Sequence, residues 1–133
     1  MKVVYLFLIL GLSFSACLKD EINDPVSDNS IIGNWSYPEY LDTSIIFTRL
    51  SILPENAYGI NFLKSGKLLE RKNSGSCGTP PIFYATYEGS WTQSGDTIQV
   101  TVPYWGGISY YTWIIESLEN RKMRVTNHQY FNN

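Results

Sequence analysis

The chain has 133 residues, of which 44% are apolar, 15% aromatic and 17% charged, and its net charge is −2. This length suits one domain, and so many aromatic residues with so few charges exclude a disordered chain. Ten basic against twelve acidic residues exclude a nucleic-acid binder that works mainly through charge, because no excess of Lys and Arg neutralises phosphates.

The first sixteen residues have the pattern of an export signal. Lys2 gives a basic start, residues 3–12 form a ten-residue apolar run, and small residues precede Cys17. A membrane-spanning helix needs about 20 apolar residues, so this run is too short for a permanent span and matches the apolar region of a secretory signal. We therefore predict a signal peptide at residues 1–16.

Residues 14–17 (FSAC) resemble the lipobox of bacterial lipoproteins, with Phe14 where that motif usually has Leu. The resemblance implies cleavage before Cys17, acylation of that cysteine and anchoring in a membrane. The next charged residues, Lys19, Asp20 and Glu21, resemble the surface-export signal of Bacteroidetes lipoproteins. This second resemblance implies an outer-membrane protein that faces the cell surface, with the periplasmic leaflet as the alternative.

Residues 17–30 are predicted to be the lipidated cysteine and a flexible acidic tether. Residues 18–30 carry four acids, one proline and little apolar surface, and they reach at most roughly 40 Å when extended. Because the lipid uses Cys17, Cys77 is left without an intrachain disulfide partner. The exported domain must therefore be stabilised by its core.

From residue 31 onward the sequence alternates between apolar and polar residues. Ile98, Val100 and Val102, for example, fall on one face of a strand, and Gly, Asn and Asp between the apolar runs indicate hairpins. We predict strands near residues 33–38, 44–51, 58–63, 67–72, 82–92, 97–102, 109–116 and 122–127. Residues 31–133 are thus expected to form an all-β domain, a single antiparallel up-and-down barrel of about eight strands without an exposed edge; a filled sandwich is the alternative.

Residues 33–35 (GNW) resemble the Gly-x-Trp opening of lipocalin barrels, and residues 87–91 (YEGSW) and 95–98 (GDTI) resemble hairpins of small lipocalin-like lipoproteins of Bacteroidetes. The resemblance covers roughly residues 31–127 and implies a structural role for Gly33. It also implies that an arginine from a late strand stacks on Trp35, and Arg124 is the candidate.

Candidate catalytic groups are few. His128 is the only histidine and falls in the polar C-terminal tail, so a zinc site lacks ligands, and we expect no metal and no cofactor. Cys77 has no base nearby in sequence to form its thiolate. Glu70, Glu88 and Glu116 fall on predicted polar strand faces, where we expect solvation rather than a catalytic carboxylate pair. We predict that the protein is not an enzyme; one that uses Cys77 or two carboxylates is the remote alternative.

The aromatic residues carry the functional prediction. One set, in which Ile60 is the one aliphatic member, alternates onto the predicted inner side of the strands: Trp35, Phe47, Ile60, Phe62, Phe83, Tyr87, Trp91, Tyr111 and Trp113. These side chains either fill the barrel as its core or line a cavity for a small apolar or glycan ligand. The candidate ligand-binding residues are Trp35, Phe62, Tyr87, Trp91, Tyr111 and Trp113.

A second aromatic group, Tyr104, Trp105 and Tyr110, surrounds a Gly-Gly turn. These rings either fold back over the end of the barrel or are exposed, in which case they suit a sugar or a protein partner in the envelope. The sequence therefore leaves two binding functions open, small-ligand binding inside the barrel and a surface protein–protein interaction through residues 104–111.

Replacing Cys17 with Ala removes the sulfur that the lipid would occupy. We expect a full-length, unacylated precursor without stable lipid anchoring, as measured by intact mass and membrane fractionation. Cys77→Ala is the matched control and should be processed normally. A Cys17→Ala protein that is still cleaved after residue 16 and retained by an acyl chain would contradict the predicted anchor.

Overall fold

A computed structural model describes residues 29–128, so the predicted signal peptide, Cys17 and the charged group at residues 19–21 lie outside the described chain. The described residues contain strands and no helix. None of them forms a helix long and apolar enough to cross a membrane. The strands are β1 (Gly33–Leu41), β2 (Ser44–Leu50), β3 (Gly59–Phe62), β4 (Lys67–Asn73), β5 (Tyr84–Ser94), β6 (Thr97–Tyr104), β7 (Gly107–Glu119) and β8 (Lys122–His128).

The eight strands form one closed, antiparallel, up-and-down barrel, which confirms the predicted fold class. Around the barrel the order is β1-β2-β8-β7-β6-β5-β4-β3, so β1 lies between β2 and β3. Residues 51–58 therefore carry the chain from β2 past β1 to β3. This connection is fixed to β4 because Arg71 Nη1 donates a hydrogen bond to the Pro54 carbonyl oxygen at 2.9 Å.

The period-two pattern sets which side chains enter the barrel. On β6, Ile98, Val100 and Val102 are buried while Gln99 is exposed, as the alternation predicts. The largest difference in strand length is in β7, which extends beyond the predicted residues 109–116 at both ends. Its pairing with β6 begins at Gly107 opposite Tyr104, and its pairing with β8 continues to Glu119 opposite Lys122. The buried core contains Ile31, Trp35, Phe47, Ile60, Phe62, Leu68, Ile98, Val100, Val102, Trp113, Met123 and Val125.

The prediction that Phe83 faces the interior is wrong. β5 begins at Tyr84, so Phe83 belongs to the preceding connection rather than to the strand. Its side chain is 71% exposed. The alternation of apolar residues continues back through residue 83, but the strand pairing that would direct this side chain inward begins one residue later.

The two ends of the barrel differ. At the N-terminal end, residues 29–32 enter β1, and the turns at residues 63–66, 95–96 and 120–121 join the strands. At the opposite end, which we call the aromatic end, the connections are residues 42–43, 74–83 and 105–106. Most of the large apolar side chains that are exposed between residues 29 and 128 lie at the aromatic end: Tyr40, Leu41, Ile82, Phe83, Tyr104, Trp105, Ile108 and Tyr110.

Arg49, and not the predicted Arg124, stacks on Trp35. Arg49 lies directly opposite Trp35 in the β1–β2 register, and its guanidinium carbon is 4.2 Å from the centre of the Trp35 ring. The prediction of Arg124 is wrong because β8 pairs with β2 and β7 rather than with β1. Arg124 instead places its Nε 3.8 Å from a carboxylate oxygen of Glu116.

The same arginine holds the segment that precedes β1. Its Nη1 donates to the Ile32 carbonyl at 2.7 Å, and its Nη2 donates to the Ser30 carbonyl. Trp35 Nε1 donates to the Ile31 carbonyl at 2.7 Å, and the Ile31 side chain is buried. Gly33 has a φ of +125°, and a Cβ there would lie 3.0 Å from Arg49 Nη1, so the glycine gives the guanidinium room.

Replacing Arg49 with Met keeps an unbranched side chain but removes the donors to residues 30 and 32. We expect the free energy of unfolding to fall by about 2 to 3 kcal/mol, the usual worth of hydrogen bonds to a charged group. Urea unfolding followed by tryptophan fluorescence measures this change. Arg124→Met is the matched control and should stay within about 0.5 kcal/mol of the wild type. Equal losses in the two variants would contradict the assigned role of Arg49.

Candidate functional site

A charged pair lies inside the barrel on β4. Leu68, Glu70 and Lys72 are spaced two residues apart, so they lie on the same face of this strand, and Leu68 is fully buried. Glu70 is 4% exposed and is the only carboxylate that is buried among residues 29–128. The expectation that Glu70 is solvated is wrong, because the pairing of β4 with β3 and β5 places it opposite the interior residues Ile60 and Tyr87.

The Glu70 carboxylate accepts hydrogen bonds from three side chains. Tyr58 Oη donates to Oε1 at 2.7 Å, and Tyr111 Oη donates to the same oxygen at 3.3 Å. Lys72 Nζ donates to Oε2 at 2.6 Å. We call these four residues the Glu70 cluster. Such pairing is what allows a carboxylate to be buried, because an isolated ion loses its hydration without compensation.

The surrounding strands position each donor. Tyr58 precedes β3, and the buried Ser36 hydroxyl of β1 donates to its carbonyl oxygen. Tyr111 comes from β7, which lies across the interior from β4 in the strand order. Lys72 is one inward position closer to the aromatic end than Glu70, and its side chain is 18% exposed against 5% for Glu70. The lysine therefore lies between the carboxylate and solvent.

Aromatic rings enclose the Glu70 cluster. The Trp113 ring lies 5.1 Å from Phe47 and 5.0 Å from Tyr111, measured between centroids, and Phe47 lies 6.2 Å from Tyr58. The Lys72 ammonium is 5.4 Å from the centre of the Tyr87 ring, within the range of a cation–π contact. The polar atoms are thus few and fixed within apolar walls, which is the usual composition of a small-molecule site.

The two tyrosines of the cluster remain protonated well into the alkaline range. Burial raises the pKa of Tyr58 well above its ordinary value, and the neighbouring Tyr111 and Glu70 add to the effect. Burial also raises the pKa of Tyr111, with the Glu70 charge as the next cause. Both hydroxyls therefore act as hydrogen-bond donors to the carboxylate.

The structure separates the six predicted ligand-binding residues into two groups. Tyr111 belongs to the Glu70 cluster, Tyr87 lies beside Lys72, and Trp113 packs against Tyr111. Trp35 and Phe62 are fully buried, and Trp91 packs edge-on against Phe62 at 5.3 Å and donates its Nε1 to the Leu63 carbonyl at 3.0 Å. This second group forms the core toward the N-terminal end.

The sequence analysis missed the charged members of the site. The two-residue repeat of the strand could have located them inside the barrel. Residues 68, 70 and 72 lie on one face, and the apolar Leu68 marks that face as internal. The charges of Glu70 and Lys72 instead suggested a solvated face. Because Lys72 Nζ pairs with Glu70 Oε2 at 2.6 Å, neither charge is buried without a partner of opposite charge.

The aromatic residues around the Gly-Gly turn do not fold into the barrel. Trp105 is 56% exposed and Tyr110 is 74% exposed. Tyr104 packs edge-on against Trp105, with the ring centroids 5.7 Å apart, and covers Gly106, where a Cβ would come within 2.8 Å of its ring. The hairpin thus presents a preformed aromatic pair to solvent.

A groove of about 480 Å³ opens at the aromatic end. It is lined by Tyr40, Asp42, Thr43, Ser44, Ile45, Asn127 and His128. The groove lies at the rim of the barrel, where the β1–β2 turn meets the end of β8. Its volume is within the range of small-molecule sites.

Of the remaining candidate residues, His128 is the last residue of β8 and lines the groove. Cys77 and Glu116 do not line it. Cys77 is exposed in the 74–83 connection, and a hydrogen bond with the Thr79 hydroxyl, 2.8 Å from Sγ, lowers the pKa of its thiol. On the outer surface, hydrogen bonds from Thr126 and Ser44 lower the pKa of Glu116. Among residues 29–128, no group of His, Cys, Asp and Glu side chains is arranged to hold a metal ion.

Comparisons with protein-family models, curated proteins and solved structures found no match for this chain. Its function is therefore inferred from the chemistry of the barrel itself.

The raised pKa values of Tyr58 and Tyr111 make stability depend on alkaline pH. Above about 10, the ordinary pKa of tyrosine, the unfolded chain loses phenolic protons that the folded chain keeps, so the free energy of unfolding should fall as pH rises. Below that pH both states keep their phenolic protons, so these two tyrosines do not make the free energy of unfolding depend on pH. The double variant Tyr58→Phe/Tyr111→Phe should lose less stability between neutral and alkaline pH than the wild type does, as measured by urea unfolding across a pH series. Tyr110→Phe is the exposed control, and a double variant with the slope of that control would contradict the assignment.

Proposed function

We propose that this chain is a lipid-anchored, non-catalytic binding protein of the cell envelope, whose barrel takes a small ligand at its aromatic end. The ligand would have an apolar body and at least one polar group. Within this proposal the protein is a lipocalin-like lipoprotein held in the outer membrane through Cys17 and facing the cell surface. The export signal, the lipobox resemblance and the residues that follow Cys17 support the anchor and the location.

The observation that carries the proposal is the Glu70–Lys72 pair, 2.6 Å apart inside the barrel. Well-packed apolar side chains of similar volume stabilise a core as well as a buried ion pair or better, because burying two charges costs hydration. Stability alone therefore gives little reason for this pair. A polar group that is fixed among aromatic rings provides orientation and specificity for a ligand.

The exposed rings of the hairpin at residues 104–111 favour a second candidate, a protein–protein interaction at the cell surface. Trp and Tyr side chains dominate binding hot spots because they bury large areas at little entropic cost. Trp105 and Tyr110 are more than half exposed in the isolated chain. This surface and the interior site can be tested separately, since the exposed rings of Trp105 and Tyr110 are not part of the Glu70 cluster.

Native mass spectrometry of the protein extracted from its own membrane tests both candidates. We expect a bound small-molecule mass that Lys72→Met loses, because the polar group that orients the ligand is gone. The double variant Trp105→Ala/Tyr110→Ala should keep that mass. A sample with no small-molecule mass but with a bound protein that the Trp105→Ala/Tyr110→Ala variant loses would overturn the first proposal in favour of the second.

A further inference from the structure

We infer that the Glu70 cluster selects an uncharged ring with oxygen acceptors, such as a pyranose sugar, over a carboxylate or an amine of similar size. The inferred preference rests on the proposed function, because it concerns the ligand class of the same site. It follows from the hydrogen-bonding state of Glu70, the position of Lys72, the charge of the pair and the rings around it.

The Glu70 carboxylate is already occupied by donors. Its Oε1 accepts from Tyr58 and Tyr111, and its Oε2 accepts from Lys72. An entering amine would have to displace one of these groups. It would also place a second cation beside the Lys72 ammonium, in an environment where like charges repel strongly. The cluster therefore disfavours a cationic ligand.

The Lys72 ammonium lies on the side of the charged pair nearer the aromatic end. It is more exposed than Glu70, at 18% against 5%. An ammonium carries three N–H donors and no acceptor, and one of these donors is directed at Glu70 at 2.6 Å. The donors that remain match a ligand oxygen.

The charge of the pair decides which oxygen is favoured. Lys72 and Glu70 together have no net charge, so a ligand carboxylate would bring an uncompensated negative charge into a partly buried site. No opposite charge would offset the hydration that this carboxylate loses. A hydroxyl, ether or carbonyl oxygen accepts the same hydrogen bond without adding charge. The neutral acceptor is therefore preferred.

The rings around the pair match the faces of a sugar. Tyr87 lies beside the Lys72 ammonium, and Tyr111, which donates to Glu70, has its ring centroid 5.0 Å from that of Trp113. A pyranose presents C–H groups on its faces and oxygens around its edge, so its face can pack on an aromatic ring while an edge oxygen accepts from the lysine. A purely apolar ligand would leave the lysine donors without an acceptor.

Three sugars with the same ring separate the charge classes: glucose, glucuronate, and glucosamine kept below the pKa of its amine. Saturation-transfer NMR on the full-length protein in detergent measures each of them. We expect binding of glucose to exceed that of glucuronate and glucosamine by roughly tenfold. This comparison uses only the wild-type protein, so it does not depend on whether a variant folds.

Two variants then test the assigned groups. Lys72→Met should weaken glucose binding by roughly tenfold, the worth of one hydrogen bond. Glu70→Gln keeps the shape of the side chain but leaves the lysine charge uncompensated, so it should shift the preference toward glucuronate by roughly tenfold. Glu88→Gln, on the outer face of β5 and paired with Lys67, is the matched control and should change neither value.

The outcomes distinguish the inference from the function on which it rests. Wild-type protein that binds glucuronate or glucosamine as well as glucose would overturn the charge preference. If none of the sugars binds but Lys72→Met loses a bound mass of another class, the sugar inference is wrong and the proposed function stands. If Lys72→Met and Glu70→Gln both fold and leave every measured ligand unchanged, the inference and the proposed function both fail.

Discussion

Arg49 holds the segment that precedes β1 against the N-terminal end of the barrel. Its guanidinium lies on the Trp35 ring and donates to carbonyl groups of the segment that precedes β1. The Arg49 backbone also pairs with the β7–β8 turn, since its N–H donates to the Arg121 carbonyl at 2.8 Å. One side chain and its own peptide group thus join residues 30–32, β1, β2 and the last hairpin. All of these contacts lie at the N-terminal end, and none of them involves the aromatic end.

The interior changes character along the barrel axis. Toward the N-terminal end the aromatic side chains are core, and their ring N–H groups donate to nearby backbone carbonyls. Toward the aromatic end, the rings of Tyr87, Tyr111 and Trp113 surround a charged pair. The sequence left two alternatives open for the aromatic residues, packed core and ligand site. Toward the N-terminal end they are packed core, and the proposed ligand site is confined to the other part of the barrel.

The strands could be predicted because alternation and turn chemistry are local properties. The partner of Trp35 could not, since it depends on which strands are neighbours: β1 lies between β2 and β3, so Arg49 faces the ring and Arg124 does not. Glu70 was missed for another reason. Its charge suggested solvent, whereas strand parity with Leu68 placed it inside. A pair of opposite charges two residues apart on a strand satisfies both charges at once, and only the fold shows that the pair is internal.

The entry of the chain at residues 29–32 has a consequence for how the domain sits at a membrane. These residues reach the barrel at the end farthest from the exposed rings of Trp105 and Tyr110. With acyl chains on Cys17, as proposed, the tether would join the domain beside Arg49, and residues 18–30 would allow a separation from the bilayer of at most roughly 40 Å. In that arrangement the attachment point would be at the opposite end from the groove and the aromatic hairpin, so the tether itself would leave both accessible to molecules in the surrounding medium.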